Sequence, residues 1–285
     1  MTQPPVDPSA LRLPAAPLDL LALPTDATPG FTGDKDAGEQ ALAALAEELG
    51  ELQEKLWAQR SGAGTAPRVL LVLQGMDTSG KGGVLRHCVG LVDPQGVRIK
   101  AFKAPTEEEK QHDFLWRIAN ALPEPGHLGV FDRSHYEDVL IHRVHGWADA
   151  AELERRYDAI NAFEADLVED GVVVVKVMLH ISADEQRERL RERLTNPAKH
   201  WKYNPGDVDE RARWAAYREA YQVALTRTDT AHAPWHVVPA DRKWYRNLAV
   251  TSLLLRALQG LDLDWPAADF DPEAELARLA GLEVQ

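Results

Sequence analysis

The chain predicts an α/β fold built on a doubly wound parallel sheet with helices on both faces, and three observations carry that prediction. From residue 68 onward, short apolar and β-branched runs alternate with helical stretches. The first run, Val69–Leu73, is apolar at every position, as expected of a strand buried on both faces. It leads directly into Gly75-Met-Asp77-Thr-Ser79-Gly80-Lys81-Gly82-Gly83 and then a helical pattern, the strand–glycine loop–helix order of a phosphate-gripping loop.

The elements follow in order. Residues 1–30 carry seven prolines and little periodicity, which predicts an extended arm over the body or over a neighbouring subunit, disordered at its very start. Residues 37–60 form an amphipathic helix with Leu42, Leu45, Leu49, Leu52 and Leu56 on one face. The same spacing suits a coiled-coil seam, but the stripe spans only about two heptads, which favours packing on the chain's own core. Further strands are expected at 97–103, 129–132, 172–179 and 237–240. Helices are expected at 84–91, 107–121, 137–144, 149–169, 183–194, 207–228 and 243–259. Residues 195–232 interrupt the alternation and are expected to form a helical lid. The chain is therefore read as an arm (1–30), a single domain (31–265) and a short tail (266–285) with a helix at 272–281.

Composition narrows the classes. A net charge of −13 argues against a nucleic-acid partner, although a local basic cleft still suits an anionic substrate. No apolar run reaches the roughly 20 residues of a membrane span, and no secretory leader pattern opens the chain, so the cytoplasm is expected. The single cysteine, Cys88, agrees with a reducing compartment and reads as a small buried apolar residue. The Arg187–Arg193 run is interleaved with acids, as a solvated helix face would be.

The chemistry concentrates in two segments. The loop matches G-x-x-x-x-G-K at Gly75, Gly80 and Lys81, whose amine would reach terminal phosphates. Gly82 stands where a hydroxyl usually ligates Mg²⁺, and Asp77 offers a hard carboxylate instead. The strand at 129–132 ends in Asp132, where a phosphate-loop enzyme places its second metal-organising carboxylate, and Arg133 follows with a guanidinium suited to phosphate oxygens. His135 and His142 are more readily structural than phosphohistidines.

The loop together with Asp132-Arg-Ser-His135-Tyr-Glu137 resembles polyphosphate kinase family 2, and the similarity runs over about residues 25–260. The resemblance implies a thymidylate-kinase-like three-layer core with a mobile helical lid. It implies Mg²⁺, or Mn²⁺ in its place, at Asp77 and Asp132, and polyphosphate in a basic channel near Lys81, Arg133 and the lid cations Arg193, Lys199 and Lys202. Ser79, Gly82 and Gly83 would complete the phosphate cradle, and Lys103 and Lys243 are further candidates at strand ends. His135-Tyr136-Glu137 looks like the subgroup that accepts both AMP and ADP, with Glu137 holding a metal-bound water or the acceptor's metal. Asp138 and Asp241 are the neighbouring candidates for acceptor selection. The expected partners are inorganic polyphosphate and nucleoside mono- or diphosphates, without nucleic acid or membrane, in a homo-oligomer. The rival readings are an ATP-dependent nucleoside monophosphate kinase and a non-catalytic nucleotide-binding switch or scaffold.

Overall fold

In the computed structural model, which describes residues 2–14, 17–61 and 66–282, five strands run parallel in one sheet. They are β1 (Arg68–Gly75), β2 (Val97–Ala101), β3 (Leu128–Asp132), β4 (Val172–His180) and β5 (Trp235–Pro239), in the spatial order β2-β3-β1-β4-β5. Growth of the sheet changes direction at β1, so the loop after β1 lies at a topological switch point, where open α/β sheets bind ligands. All strand C-termini share one edge.

The main helices are α1 (Lys35–Ala58), α2 (Lys81–His87), α3 (Trp116–Ala119), α4 (Glu137–His145), α5 (Ala150–Glu169), α6 (Ala183–Thr195), α7 (Gly206–Arg211), α8 (Trp214–Thr228), α9 (Lys243–Gln259) and α10 (Pro272–Ala280). Helices α1, α2 and α9 form one packed group, and α4, α5 and α8 another, each against the sheet. None among the described residues is long and apolar enough to cross a membrane.

Local chemistry shortens several expected helices. The helix after the loop stops at His87 and continues as a 3₁₀ turn over Val89–Leu91. The expected helix at 107–121 is mostly turns. Thr106 and Glu109 bond one another's backbone N–H groups, and Asp113 accepts from Leu115 N at 3.0 Å, so side chains compete with the helical ladder. The 207–228 segment breaks between α7 and α8. From Ala220 onward α8 is largely core, with Tyr221, Ala224 and Leu225 buried, so the exposed part of the 195–232 segment is its first half.

The leucine stripe of α1 packs on α9 of the same chain. Leu45, Leu49, Leu52 and Leu56 are buried, and Gly38 lets the Trp244 ring come close. The arm also lies on its own chain. Arg12 bridges antiparallel to His236 on β5, His180 bonds Leu23 O at 3.2 Å, and Thr25 Oγ1 donates to Asp241 at 2.6 Å. The two features behind the homo-oligomer expectation are thus both engaged within the chain. Helix α10 has no buried residue; Met1 and Glu283 lie outside the described residues. Cys88 is fully buried, and burial pushes its thiol up to about 11, which keeps it unreactive.

Two arginines support the phosphate loop from behind. Arg189 of α6 donates to Thr78 O and Ser79 O at 2.9 Å each and to Ala240 O at 2.5 Å, clamping loop to β5. Arg246 of α9 lies under the loop; burial, then repulsion from Arg189, lowers its pKa to about 10. A Cβ at Gly83 would fall 2.4 Å from Arg246 Nη2, whereas one at Gly82 would meet nothing within 4 Å. Arg246 is 4% exposed and has little room to swing aside. Gly83→Ala is therefore expected to cost about 1–3 kcal/mol, and Gly82→Ala to melt like the wild type, as measured by urea denaturation. Equal loss in both variants would remove the Arg246 explanation.

Candidate active site

Register brings the two chemical segments together. Leu73 of β1 lies opposite Asp132 of β3, so the Gly75–Gly83 loop and the Asp132–Glu137 turn leave the sheet side by side. Arg133 has φ +65°, a left-handed conformation that costs a non-glycine residue roughly 1–3 kcal/mol. Two contacts hold it there. Its N–H donates to Leu73 O at 3.1 Å, and Nη2 donates to Asp77 Oδ1 at 2.9 Å. Lys81 opens α2 and folds back to donate to Gly75 O at 2.9 Å.

The electrostatics show a shared, half-buried space. Burial lowers the Lys81 pKa, with Arg133 acting in the same sense, while Asp77, Asp132 and Glu137 oppose. Burial raises the Glu137 carboxyl, and Arg133 and Lys81 work against that rise. For Arg133, burial disfavours the charge, but Glu137, Asp77 and Asp132 more than offset it and raise its pKa. Lys81 therefore feels all four of the others and Arg133 all three carboxylates, the condition for preorganised charge stabilisation of a moving phosphoryl group.

Beside them opens a cavity of about 350 Å³, walled by the loop, α4, α7 and α8. Glu137, Asp77 and Arg133 face Tyr217, Tyr221 and Asp207 across it. Tyr221 OH accepts from Gly75 N at 3.0 Å, tying α8 to the loop. Gln74, with its amide turned to satisfy its neighbours, donates to Glu137 Oε1 at 3.1 Å and accepts from Ser134 N at 3.1 Å. Burial raises the Asp207 pKa, and nearby Asp77 adds to it.

No group of three His, Cys, Asp or Glu side chains forms a ready metal cage among the described residues. The donors present are hard carboxylates beside a phosphate loop, with the Thr78 and Ser79 hydroxyls buried and unpartnered. That set fits a divalent ion such as Mg²⁺, which keeps waters and takes only one or two carboxylates plus substrate phosphates.

The remaining candidates divide into rim and framework. Lys199 pairs with Glu192, and Lys243 Nζ lies 4.0 Å from the same carboxylate, so Glu192 gathers a lid lysine and the first residue of α9. Arg193 is held inward by Asp207 at 3.0 Å and by Lys202 O at 3.0 Å. Lys202 lies 5.0 Å over the exposed Trp201 ring. Lys103 is exposed, and its carbonyl accepts from Arg117 at 3.0 Å. Asp138 is buried and bridges Arg117 at 3.2 Å and His142 at 3.5 Å. Asp241 accepts from Ser182 N and Thr25 Oγ1, facing the arm. Both aspartates are occupied by neighbours within the chain.

Gln74, Gln186, Arg189, Asp207, Tyr221 and Arg246 escaped the sequence reading. Gln186 donates to Asp77 O at 3.1 Å. A signal existed for α6: Gln186, Arg189, Leu190 and Arg193 share one helical face, although the run looks solvated throughout.

Comparison with known proteins places the whole chain in a family. The family described as "Polyphosphate kinase 2 (PPK2)" matches residues 32–264. The chain is 44% identical over 253 residues to the AMP/ADP-polyphosphate phosphotransferase of Meiothermus ruber, covering 89% of this chain and 93% of the relative. It is 38% identical over 263 residues to the ADP-polyphosphate phosphotransferase of Rhodopseudomonas palustris, covering 87% and 88%. The crystal structure of polyphosphate kinase 2 from Arthrobacter aurescens TC1 superposes with a TM-score of 0.93 at 57% identity, covering 98% of each chain. With the matched segment enclosing both the phosphate loop and the Asp132–Glu137 turn, the chain belongs to the polyphosphate kinase 2 family.

Proposed function

We propose that this protein is a polyphosphate:nucleotide phosphotransferase that moves the terminal phosphate reversibly between inorganic polyphosphate and AMP or ADP. The observation that carries the reading is the meeting of Asp77, Lys81, Asp132, Arg133 and Glu137 at one sheet edge, within mutual electrostatic reach. The cavity walled by α4 and α8 would take the nucleotide, and the Lys199–Glu192–Lys243 rim would lie along the polyphosphate. The lid motion belongs to the segment from Pro197 to Arg211, since most of α8 is anchored in the core.

In the proposed transfer, a terminal phosphate oxygen of the nucleotide attacks the terminal phosphorus of polyphosphate in line. Lys81 and Arg133 hold the transferring group's oxygens, and the loop's backbone N–H groups orient the chain. Asp77 and Asp132, with Glu137, would hold Mg²⁺, which would supply positive charge against the phosphate oxygens. The attacking phosphate is already ionised at neutral pH, so no strong general base is required. Arg133, bonded to Asp77, is oriented before substrate binds, so little reorganisation is asked of it.

A coupled assay with Mg²⁺ and long-chain polyphosphate, without ATP, tests the reading: ADP and ATP should form from AMP, and ATP from ADP. Silence with polyphosphate, and transfer only after ATP is added, would assign the chain to ordinary nucleoside monophosphate kinases. Asp77→Asn and Asp132→Asn should each lower kcat by on the order of 10²-fold or more with the fold intact. Near-normal turnover in either would end that residue's metal assignment. Lys199→Ala and Lys243→Ala should raise the KM for polyphosphate more than that for nucleotide, and equal changes would count against the rim. Glu137→Asn should depress AMP use more than ADP use, and an unchanged ratio would sink its part in acceptor choice.

A further inference from the structure

One layer behind Glu137 lies a charged cluster that the transfer chemistry does not use. Lys176, in the middle of β4, and Glu164, on α5, are both 0% exposed. Lys176 Nζ spends its three donors on Glu164 Oε2 at 2.6 Å, Thr228 O at 2.7 Å and Tyr136 OH at 3.0 Å. Glu164 Oε1 accepts from Tyr136 OH at 2.7 Å and pairs with His135 Nε2 at 3.2 Å. The aromatic rings close the cluster, with Tyr136 edge-on to Trp235 at 4.7 Å and Trp235 Nε1 donating to Thr228 Oγ1 at 2.9 Å.

Stability is a poor reason for this arrangement. Removing two ions from water costs several kcal/mol each, and apolar residues of similar volume commonly hold such a site as well or better. What the cluster supplies is position, because few arrangements satisfy all three Lys176 donors and both Glu164 oxygens at once. Its attachment points are specific. Tyr136 is the N-cap residue of α4, and Glu137 is the first residue of that helix. Thr228 is the last residue of α8, whose Tyr217 and Tyr221 face Glu137 across the nucleotide cavity. The cluster therefore grips both walls of one cavity by their helix ends.

We infer that the buried Glu164–Lys176 pair, acting through His135, Tyr136 and Thr228, sets the spacing of the cavity walls and thereby the choice between nucleoside mono- and diphosphate. Glu164 and Lys176 are positioning residues in this account and touch no substrate. The inference rests on the reading that this cavity takes the acceptor nucleotide. AMP and ADP differ by one phosphate unit, so a wall displaced along the cavity changes which of them places its terminal oxygen at the loop. His135, buried with its Nε2 against Glu164, belongs to the same device.

The experiment compares kcat/KM for AMP and ADP at saturating polyphosphate in three proteins: wild type, the paired Glu164→Leu/Lys176→Met variant, and Tyr136→Phe. The paired variant should keep a near-wild-type melting temperature while its AMP-to-ADP ratio falls about tenfold, mainly through the KM for AMP. Tyr136→Phe, which removes only the hydroxyl, should lower the ratio in the same direction by about threefold and reports if the paired variant does not fold. An unchanged ratio in the folded variants, or an equal loss of kcat with both acceptors, overturns the inference. Wild-type protein inert toward AMP defeats the acceptor reading, and the inference with it. Wild-type protein active on both acceptors, beside variants of unchanged ratio, defeats the inference alone.

Discussion

Parallel pairing delivers every strand's C-terminal end to one edge, and the pairing of β1 with β3 decides what meets there. Leu73 stands opposite Asp132, and Gly75 stands opposite Leu179 of β4. With that alignment Asp77 on the loop and Arg133 on the neighbouring turn come within 2.9 Å. A slip of one residue would send Asp132 to the other face of the sheet and separate the pair. The left-handed backbone at Arg133 is tolerable because the Leu73 carbonyl and the Asp77 carboxylate both hold it. Lys81, Asp132 and Glu137 then share a small, half-buried space, where each charge is worth more than it would be at the open surface.

The framework behind the site is also cationic. Arg189 and Arg246 lie beneath a loop built to hold anions, in a chain whose net charge is −13. An acidic body with cations concentrated at one edge repels polyanions generally and admits them locally, which is a means of steering. Arg189 is matched by backbone carbonyls and Glu185, whereas Arg246, among the described residues, meets no carboxylate and bonds Asn247 Oδ1. Its lowered pKa follows from that setting, and the small residues at Gly80 and Gly83 follow from its bulk. Glycines that read from sequence as room for phosphate are, at these positions, also room for an arginine.

Most of the fold, and the two polar segments that meet at its sheet edge, were legible in the sequence. Val69–Leu73 announces a doubly covered strand because a parallel strand has no solvent face, and Gly75-x₄-Gly80-Lys81 announces the loop because backbone N–H donors need that freedom. Asp132 and Arg133 were legible as the polar end of an apolar strand, and β-branched runs marked the other strands. Helix ends were less so, since Thr106, Glu109 and Asp113 bond the backbone themselves, and propensity over 107–121 does not register that competition.

What the tertiary structure alone decided is which charged groups face one another. Arg189 sits in a run that looks solvated, yet it is 8% exposed and clamps the loop, because α6 turns that face toward β5. Asp138 and Asp241 stand next to chemistry in the sequence but are held by Arg117 and Thr25, and His135 in the central motif points into the core toward Glu164. Tyr221 and Gln74 join the site from residues far apart along the chain, and no periodicity encodes such a meeting. Local sequence determines strands, loop and helix faces because sterics and burial act over a few residues. Partnership of charges is decided at long range, by strand register and helix packing.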